Sequence, residues 1–230
     1  METSGQAQNT NCLGCMRRFE QALRTGSWKR LPKPLFFWYQ AAAKEEELLR
    51  SLFKETKATS GIEVGCGPGR ILEFMLAEIQ AITCMVGVEH NPETAAYAKT
   101  RFRQERQVEI LEAAPKIEKF DISLSMFSTA GNQAEPWIFV ADLFNLSTRL
   151  TAFSVYKLGL EKERMRIYAQ FGHENIQVAG SCIILNDKLV QNLRSQAFSY
   201  KEVEAACKAL TKDYEIIDAS HLNYVVVLRH

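Results

Sequence analysis

The chain has 230 residues, 47% of them apolar and 24% charged, with 28 basic against 27 acidic side chains. That length supports one domain with a sizeable core and little beyond a small cap. The formal charge of +1 speaks against nucleic acid or an anionic membrane as the main partner, and no apolar run approaches the ~20 residues that span a bilayer.

Met1 to Asn11 is polar and lacks an apolar signal core, and residues 1–16 read as a flexible tail, so a cytoplasmic location is expected. Cys12 and Cys15 form a lone C-x-x-C pair; a zinc site needs two further ligands at comparable spacing, and none follows, so no metal is expected. The other cysteines, Cys66, Cys84, Cys182 and Cys207, are scattered in a way that suits reduced thiols. Residues 17–56 read as an N-terminal helical cap. A short helix over 16–26 carries Phe19 and Leu23 on one face, Leu31-Pro32-Lys33-Pro34 breaks it, and a second helical run passes through Leu48, Leu49, Leu52 and Phe53.

From Ser60 strands and helices alternate. Strands are predicted over 60–64, 83–88, 107–111, 120–125 and 151–156, with helices over 70–79, from Asn91-Pro92-Glu93, and after Pro136. Asn91 is placed to cap its helix, with Pro92 at the first helical position. The rhythm predicts an α/β fold, a doubly wound and mostly parallel sheet with helices on both faces. After Lys157 it breaks. A charged helix is expected over 161–171, then β runs over 175–185 and 188–193 meeting across Asn186-Asp187 as a hairpin. Ser199 and Glu202 have capping-box spacing and open a helix to about Leu210; β runs over 214–217 and 224–228 close the chain.

The most informative stretch is Glu63-Val64-Gly65-Cys66-Gly67-Pro68-Gly69, a strand end running into glycines and then a helix. Such a strand–turn–helix unit binds ligands on the turn. A dinucleotide turn wants a third glycine where Arg70 stands, and a phosphate loop would end in Gly-Lys-Ser or Gly-Lys-Thr. Glu63 would repel a pyrophosphate but favour a ligand carrying an ammonium and a sulfonium. Glu89, ending the second strand, can accept both hydroxyls of an adenosine ribose. Glu112-Ala113 follows the third strand, where the acid can accept from an adenine amino group, and Met126-Phe127 follows the fourth, apolar enough to lie against a purine.

This set resembles the class I S-adenosylmethionine-dependent methyltransferases, in their small-molecule form. The motif (D/E)-x-G-x-G-x-G is matched by Glu63, Gly65, Gly67 and Gly69, the second-strand acid by Glu89 before His90-Asn91-Pro92, the acid-Ala pair by Glu112-Ala113, and the Phe-Asp of the fourth strand by Phe120-Asp121. The resemblance implies a seven-stranded Rossmann-like sheet with an antiparallel last strand, a methyltransferase domain over 57–230, and a small α+β lid inserted at about 158–198. It implies S-adenosyl-L-methionine as cofactor, held by Glu63, Gly65, Cys66, Gly67, Gly69, Glu89, His90, Glu112, Ala113 and Met126. The Gly-Gly turn usual before the fifth strand is absent, so residues 138–143 rival 151–156 for that strand.

The implied reaction moves a methyl group to an O or N nucleophile of a small molecule. Trp38 and Tyr39 either face the sulfonium or substrate as a lid, or anchor the N-terminal helix to the sheet. His173, in the lid, and Tyr156, at the end of the fifth strand, are the candidates for a general base; their alternatives are an exposed loop histidine and a core tyrosine. An RNA or protein methyltransferase and a non-catalytic nucleoside-binding module of the same fold are the competing readings. The near-neutral charge, the lack of Asn-Pro-Pro-Tyr or Asp-Pro-Pro-Tyr after the fourth strand, and the intact acids and glycines weigh against them. The acceptor and the oligomeric state stay open.

Overall fold

The computed structural model describes residues 21–22, 25–30, 33–188, 190 and 192–230. The expected tail, with Cys12 and Cys15, and most of the expected short helix over 16–26 lie outside the described residues.

Of the segment expected to form the cap, the described residues hold a short 3-10 helix at Ser27–Arg30 and one long helix, α1 (Lys33–Thr56). Its apolar residues recur every three or four positions, and Tyr39, Ala41, Ala42, Leu49, Leu52 and Phe53 are buried. The α/β body follows in chain order: β1 (Ser60–Val64), α2 (Arg70–Glu78), β2 (Cys84–Val88), α3 (Pro92–Arg101), β3 (Val108–Leu111), β4 (Phe120–Ser125), α4 (Pro136–Asn145) and β5 (Ser147–Lys157). The side chain of Asn91 accepts the N–H of Thr94 at 3.0 Å, with Pro92 opening α3. Residues 138–143 lie in α4, which starts on Pro136, so the fifth strand is the later segment and longer than its apolar stretch suggested.

Strands β1 to β5 pair in parallel in the order β3-β2-β1-β4-β5. β10 (Asn223–Arg229) runs antiparallel along β5 from Leu150 to Tyr156, and β9 (Tyr214–Ile217) lies antiparallel outside it. These strands form the expected seven-stranded sheet. Central strands are buried on both faces, as a sheet covered by helices requires: all of Leu150 to Tyr156 and Val225 to Leu228 is inaccessible or nearly so.

The sheet is larger than seven strands because β5 overshoots β4. Tyr156 and Lys157 pair in parallel with Ala197 and Phe198 of β8 (Leu193–Phe198), which continues antiparallel into β7 (Cys182–Leu185) and β6 (Ile176–Ala179), giving ten strands in all. Helix α5 (Glu161–Gln170) leads into this added sheet, and α6 (Tyr200–Leu210), with its Ser199–Glu202 capping box, leads out. The expected hairpin across Asn186-Asp187 forms between β7 and β8, which pair antiparallel from Cys182–Gln196 to Leu185–Leu193, but the second strand starts at Leu193, so the connection is longer than expected. An additional hairpin joins β6 to β7 at Gly180-Ser181, where Gly180 takes the positive φ (+61°) that a two-residue turn needs. Asp187 braces the longer loop, accepting from Glu174 N–H at 3.1 Å and Val190 N–H at 3.3 Å.

Candidate functional site

The turn after β1 is fixed by backbone hydrogen bonds. Gly65 and Cys66 donate their N–H groups to Val88 O at 2.8 and 3.0 Å, fastening the turn to the end of β2, and Gly69 donates to Cys66 O at 2.9 Å. A Cβ on Gly65 would lie 2.5 Å from Thr129 Cγ2, and one on Gly69 2.2 Å from Phe102 Cε2, so packing demands both glycines. Gly67 differs: its φ is +54°, yet a Cβ there would meet nothing within 4 Å. The turn presents bare backbone to open space at that point, where a ligand can come close.

Glu89 is buried beside it. Its Oε2 accepts from Gly67 N–H at 3.0 Å and its Oε1 from Asn91 N–H at 2.8 Å. An ionised carboxylate has about four acceptor positions, so this one, oriented by two backbone donors, keeps capacity for a pair of hydroxyls. Glu63 is buried on β1 at the head of the turn. Cys66 is buried too, and its thiol pKa is driven far up, first by burial and then by the charges of Glu63 and Glu89. It therefore packs as a neutral thiol and offers no nucleophile. Met126 is buried at the end of β4. His90 is almost fully exposed, its Nδ1 3.7 Å from Glu89 Oε1. Glu112 and Ala113 stand at the surface past β3, with Lys99 Nζ 3.4 Å from Glu112 Oε1.

Beyond β4 the backbone is strained. Phe127 and Ser128 have φ of +61° and +62°, a conformation costing of order 1–3 kcal/mol per non-glycine residue that clusters at functional sites. Ser128 N–H donates to Ser154 Oγ at 3.1 Å, and Tyr156 N–H to Ser128 Oγ at 3.2 Å, which holds the bend. The bend forms one wall of a small, partly open cavity closed by Trp38 of α1, Tyr156 of β5 and Asn223 of β10. The Trp38 ring centroid lies 4.5 Å from that of Phe127, 5.3 Å from Phe171 and 6.1 Å from Tyr156. Tyr39 is buried on the same helix.

Sequence reasoning missed the carboxylate in this cavity. Glu45 is wholly buried; its Oε1 accepts from Asn223 Nδ2 at 2.9 Å, and its Oε2 lies 3.2 Å from Arg70 Nη2. Burial raises its pKa, while Arg70, Ser154 and the Phe127 backbone pull the other way and only partly compensate. Arg70, which stands where a dinucleotide turn wants its third glycine, joins the two places. It follows Gly69 directly, reaches Glu45 and Glu46 (2.7 Å), and sets its guanidinium carbon 5.5 Å from the Phe127 ring centroid. The signal for Glu45 was present: it stands four residues after Ala41 and four before Leu49, on a stripe that is otherwise apolar.

Of the two base candidates, only Tyr156 lines the cavity. Burial raises its pKa well above the usual phenol range, so at neutral pH it is a hydrogen-bond donor. His173 lies in the turn between α5 and β6, with Nδ1 3.1 Å from Asp187 Oδ2 and its ring 5.9 Å from that of Tyr168. Glu63, the glycines and Glu89 thus gather at one turn, Trp38 and Tyr156 at the adjoining cavity, and His173 stands apart from both.

No protein-family model and no curated protein sequence matches this chain. Solved structures do. An S-adenosylmethionine-dependent methyltransferase from Clostridium acetobutylicum superposes with a TM-score of 0.59 at 12% identity, over 93% of this chain and 99% of that one. DesVI of Streptomyces venezuelae gives 0.56 at 17% identity, over 82% and 92%. An amino pentose methyltransferase of calicheamicin biosynthesis from Micromonospora echinaspora, solved with S-adenosylmethionine bound, gives 0.55 at 14% identity, over 80% and 89%. At such identities the likeness is one of architecture, and the strand order with its antiparallel β10 states the same thing: the chain has the fold of the class I S-adenosylmethionine-dependent methyltransferases.

Proposed function

We propose that the protein transfers a methyl group from S-adenosyl-L-methionine to an O or N nucleophile of a small molecule. The observation that carries this reading is the open backbone at Gly67 beside the buried, backbone-oriented Glu89, with Glu63 at the head of the same turn. That donor set is poor for a pyrophosphate and suited to a cationic adenosine derivative. Gly65, Gly67 and Gly69 with Cys66 form the cradle, Glu63 takes the ammonium of the methionine part, and Glu89 the ribose hydroxyls. Met126 and His90 flank the nucleoside, with Glu112 and Ala113 at the adenine end. The amino pentose methyltransferase among the structural neighbours supports a small acceptor.

When bound, S-adenosylmethionine supplies a sulfonium methyl that a nucleophile displaces in line, the carbon–sulfur electron pair staying on sulfur. The chain's own task is to position the acceptor and exclude water. Trp38, on α1, and the bend at Phe127 and Ser128 form the closing wall next to the turn. Among the described residues no helix is long and apolar enough to cross a membrane, and no cluster of three or more side chains is arranged to hold a metal ion.

Calorimetric titration with S-adenosylhomocysteine tests the reading. Stoichiometric binding is expected; a folded sample that shows none overturns it.

A further inference from the structure

The bend at Phe127 and Ser128 lies against the cradle. It follows β4, the neighbour of β1, and its next residue, Thr129, packs so closely on Gly65 that a Cβ there would meet Thr129 Cγ2 at 2.5 Å. The position of the bend therefore sets how near the aromatic wall of Phe127 and Trp38 stands to the turn. Two consecutive non-glycine residues at positive φ do not keep that shape unaided; such a backbone persists only where its surroundings over-determine it.

The chief restraint is Glu45. Its wholly buried carboxylate accepts from Phe127 N–H, the Ser154 hydroxyl, Asn223 Nδ2 and Arg70. These donors fill the roughly four acceptor positions of an ionised carboxylate. Two of them lead to the bend. Phe127 N–H belongs to it, and Ser154 Oγ in turn accepts from Ser128 N–H at 3.1 Å, so both strained residues are tied to one side chain. Arg70 leads to the cradle, because it follows Gly69 in the chain. Trp38 stands about two helical turns before Glu45 on the same face of α1, against the Phe127 ring.

We infer that Glu45 is a positioning residue for the methyl transfer: from α1 it pins the Phe127–Ser128 bend and, through Arg70, couples the wall beside the acceptor to the cofactor cradle. This rests on the methyl-transfer reading above and adds what keeps the two halves of its site in register. Glu45 is inaccessible and acts only through the bend. Burial raises its pKa more than its donors lower it. As pH falls through that raised value the carboxyl takes up a proton, an acceptor position is lost, and the bend loosens. The charged or titrating groups around Glu45 are Arg70 of α2, Tyr156 of β5 and its neighbour Glu46, with Glu63 of β1 acting on the same Arg70.

The test is fluorine NMR on the full chain labelled with fluorotryptophan, the Trp38 resonance being assigned by Trp38→Phe. In the wild-type protein saturating S-adenosylhomocysteine should shift that resonance, and acid should shift it through a titration centred above the usual carboxylate range. Glu45→Gln should abolish both responses while holding S-adenosylhomocysteine affinity within about threefold of wild type, a split that a purely structural role would not produce. If Glu45→Gln does not fold, Ser154→Ala decides: it cuts only the tie to Ser128, and should weaken the Trp38 response to S-adenosylhomocysteine at unchanged affinity. A response that survives these substitutions, or a collapse of affinity in Glu45→Gln, overturns the inference. So does an acid titration that persists in Glu45→Gln, which would belong to His221, whose ring lies 4.5 Å from that of Phe37. Failure of S-adenosylhomocysteine to bind the wild-type protein, with the acid titration present and lost in Glu45→Gln, overturns the methyl-transfer reading instead.

Discussion

The two halves of the site are held together by different kinds of contact. At the glycine turn the bonds run from backbone to backbone or from backbone to one carboxylate, between segments near in sequence: Gly65 to Val88, and Gly67 to Glu89 across 22 residues. In the cavity every one of them uses a side chain and some join segments far apart, with Asn223 reaching Glu45 across 178 residues and Arg70 reaching it across 25. A backbone-built cradle suits a cofactor whose shape never changes. If the pocket assembled from the side chains of α1, β5 and β10 can be altered without disturbing that cradle, the proposed function puts acceptor choice there, with Arg70 as the link between the two.

The sharpest way to break this division is Arg164→Ala. The Arg164 guanidinium is buried behind Tyr156, donating to Ser195 O at 3.0 Å and Ser195 Oγ at 3.3 Å from one nitrogen and to Ser181 O at 3.0 Å from another. Its loss removes three buried or part-buried hydrogen bonds to a charged group and empties the volume the side chain filled, and a destabilisation of about 3 kcal/mol or more is expected, read as a fall in Tm. If the halves are separable, affinity for S-adenosylhomocysteine measured below the melting transition stays within about twofold of wild type. A parallel collapse of affinity would mean that the added sheet and the cradle form one cooperative unit.

The opposite substitution is Glu89→Ala, which removes the carboxylate proposed to accept the ribose hydroxyls. S-Adenosylhomocysteine affinity should fall by about 2 kcal/mol, roughly 30-fold, on the scale of hydrogen bonds to a charged group. Glu89→Gln, which keeps one acceptor oxygen, should lose less. Calorimetry on both variants decides, and an unchanged affinity would remove Glu89 from the cofactor site.

How far each half could be read from the sequence follows from the same contrast. Glu63, the glycines and Glu89 were legible because local spacing encodes them: a strand end, a turn that needs positive φ, a helix start. The Asn91-Pro92 start of α3 and the Ser199–Glu202 capping box were legible for the same reason, being contacts three residues long. Glu45 was not, because its role depends on which helix face packs on the sheet and on Asn223 arriving from the far end of the chain. The ten-stranded sheet was missed because β5 overshoots β4 by a few residues, and only the assembled sheet shows that β8 takes the vacant edge. The hairpins show the limit of turn signals: the chain does turn back across Asn186-Asp187, but the strand read as one run over 175–185 is itself folded at Gly180-Ser181, and only the pairing of β6 with β7 reveals that second turn.

Asp121 gives the smallest effect and the cleanest control, because it sits at the end of the sheet away from the turn. It accepts from Thr59 N–H at 2.7 Å, Thr59 Oγ1 at 2.9 Å and Ser60 N–H at 3.2 Å, and its Oδ1 lies 3.2 Å from Arg149 Nε. Burial alone would raise its pKa, but the Thr59 and Ser60 hydrogen bonds and the Arg149 charge together outweigh it, and the folded value lies below that of a free aspartate. Folding therefore favours the ionised form. The stability it contributes is complete above the unfolded pKa of about 3.9 and disappears as pH falls through the lowered folded value. Asp121→Asn should cost about 1 kcal/mol at neutral pH, with the gap to wild type closing in acid, and should leave S-adenosylhomocysteine affinity unchanged. Denaturant titrations at pH 7 and below pH ~3.9 check the sign. A gap that persists in acid would mean that the side chain stabilises the β1–β4 edge by packing and neutral hydrogen bonding, with no part played by its charge.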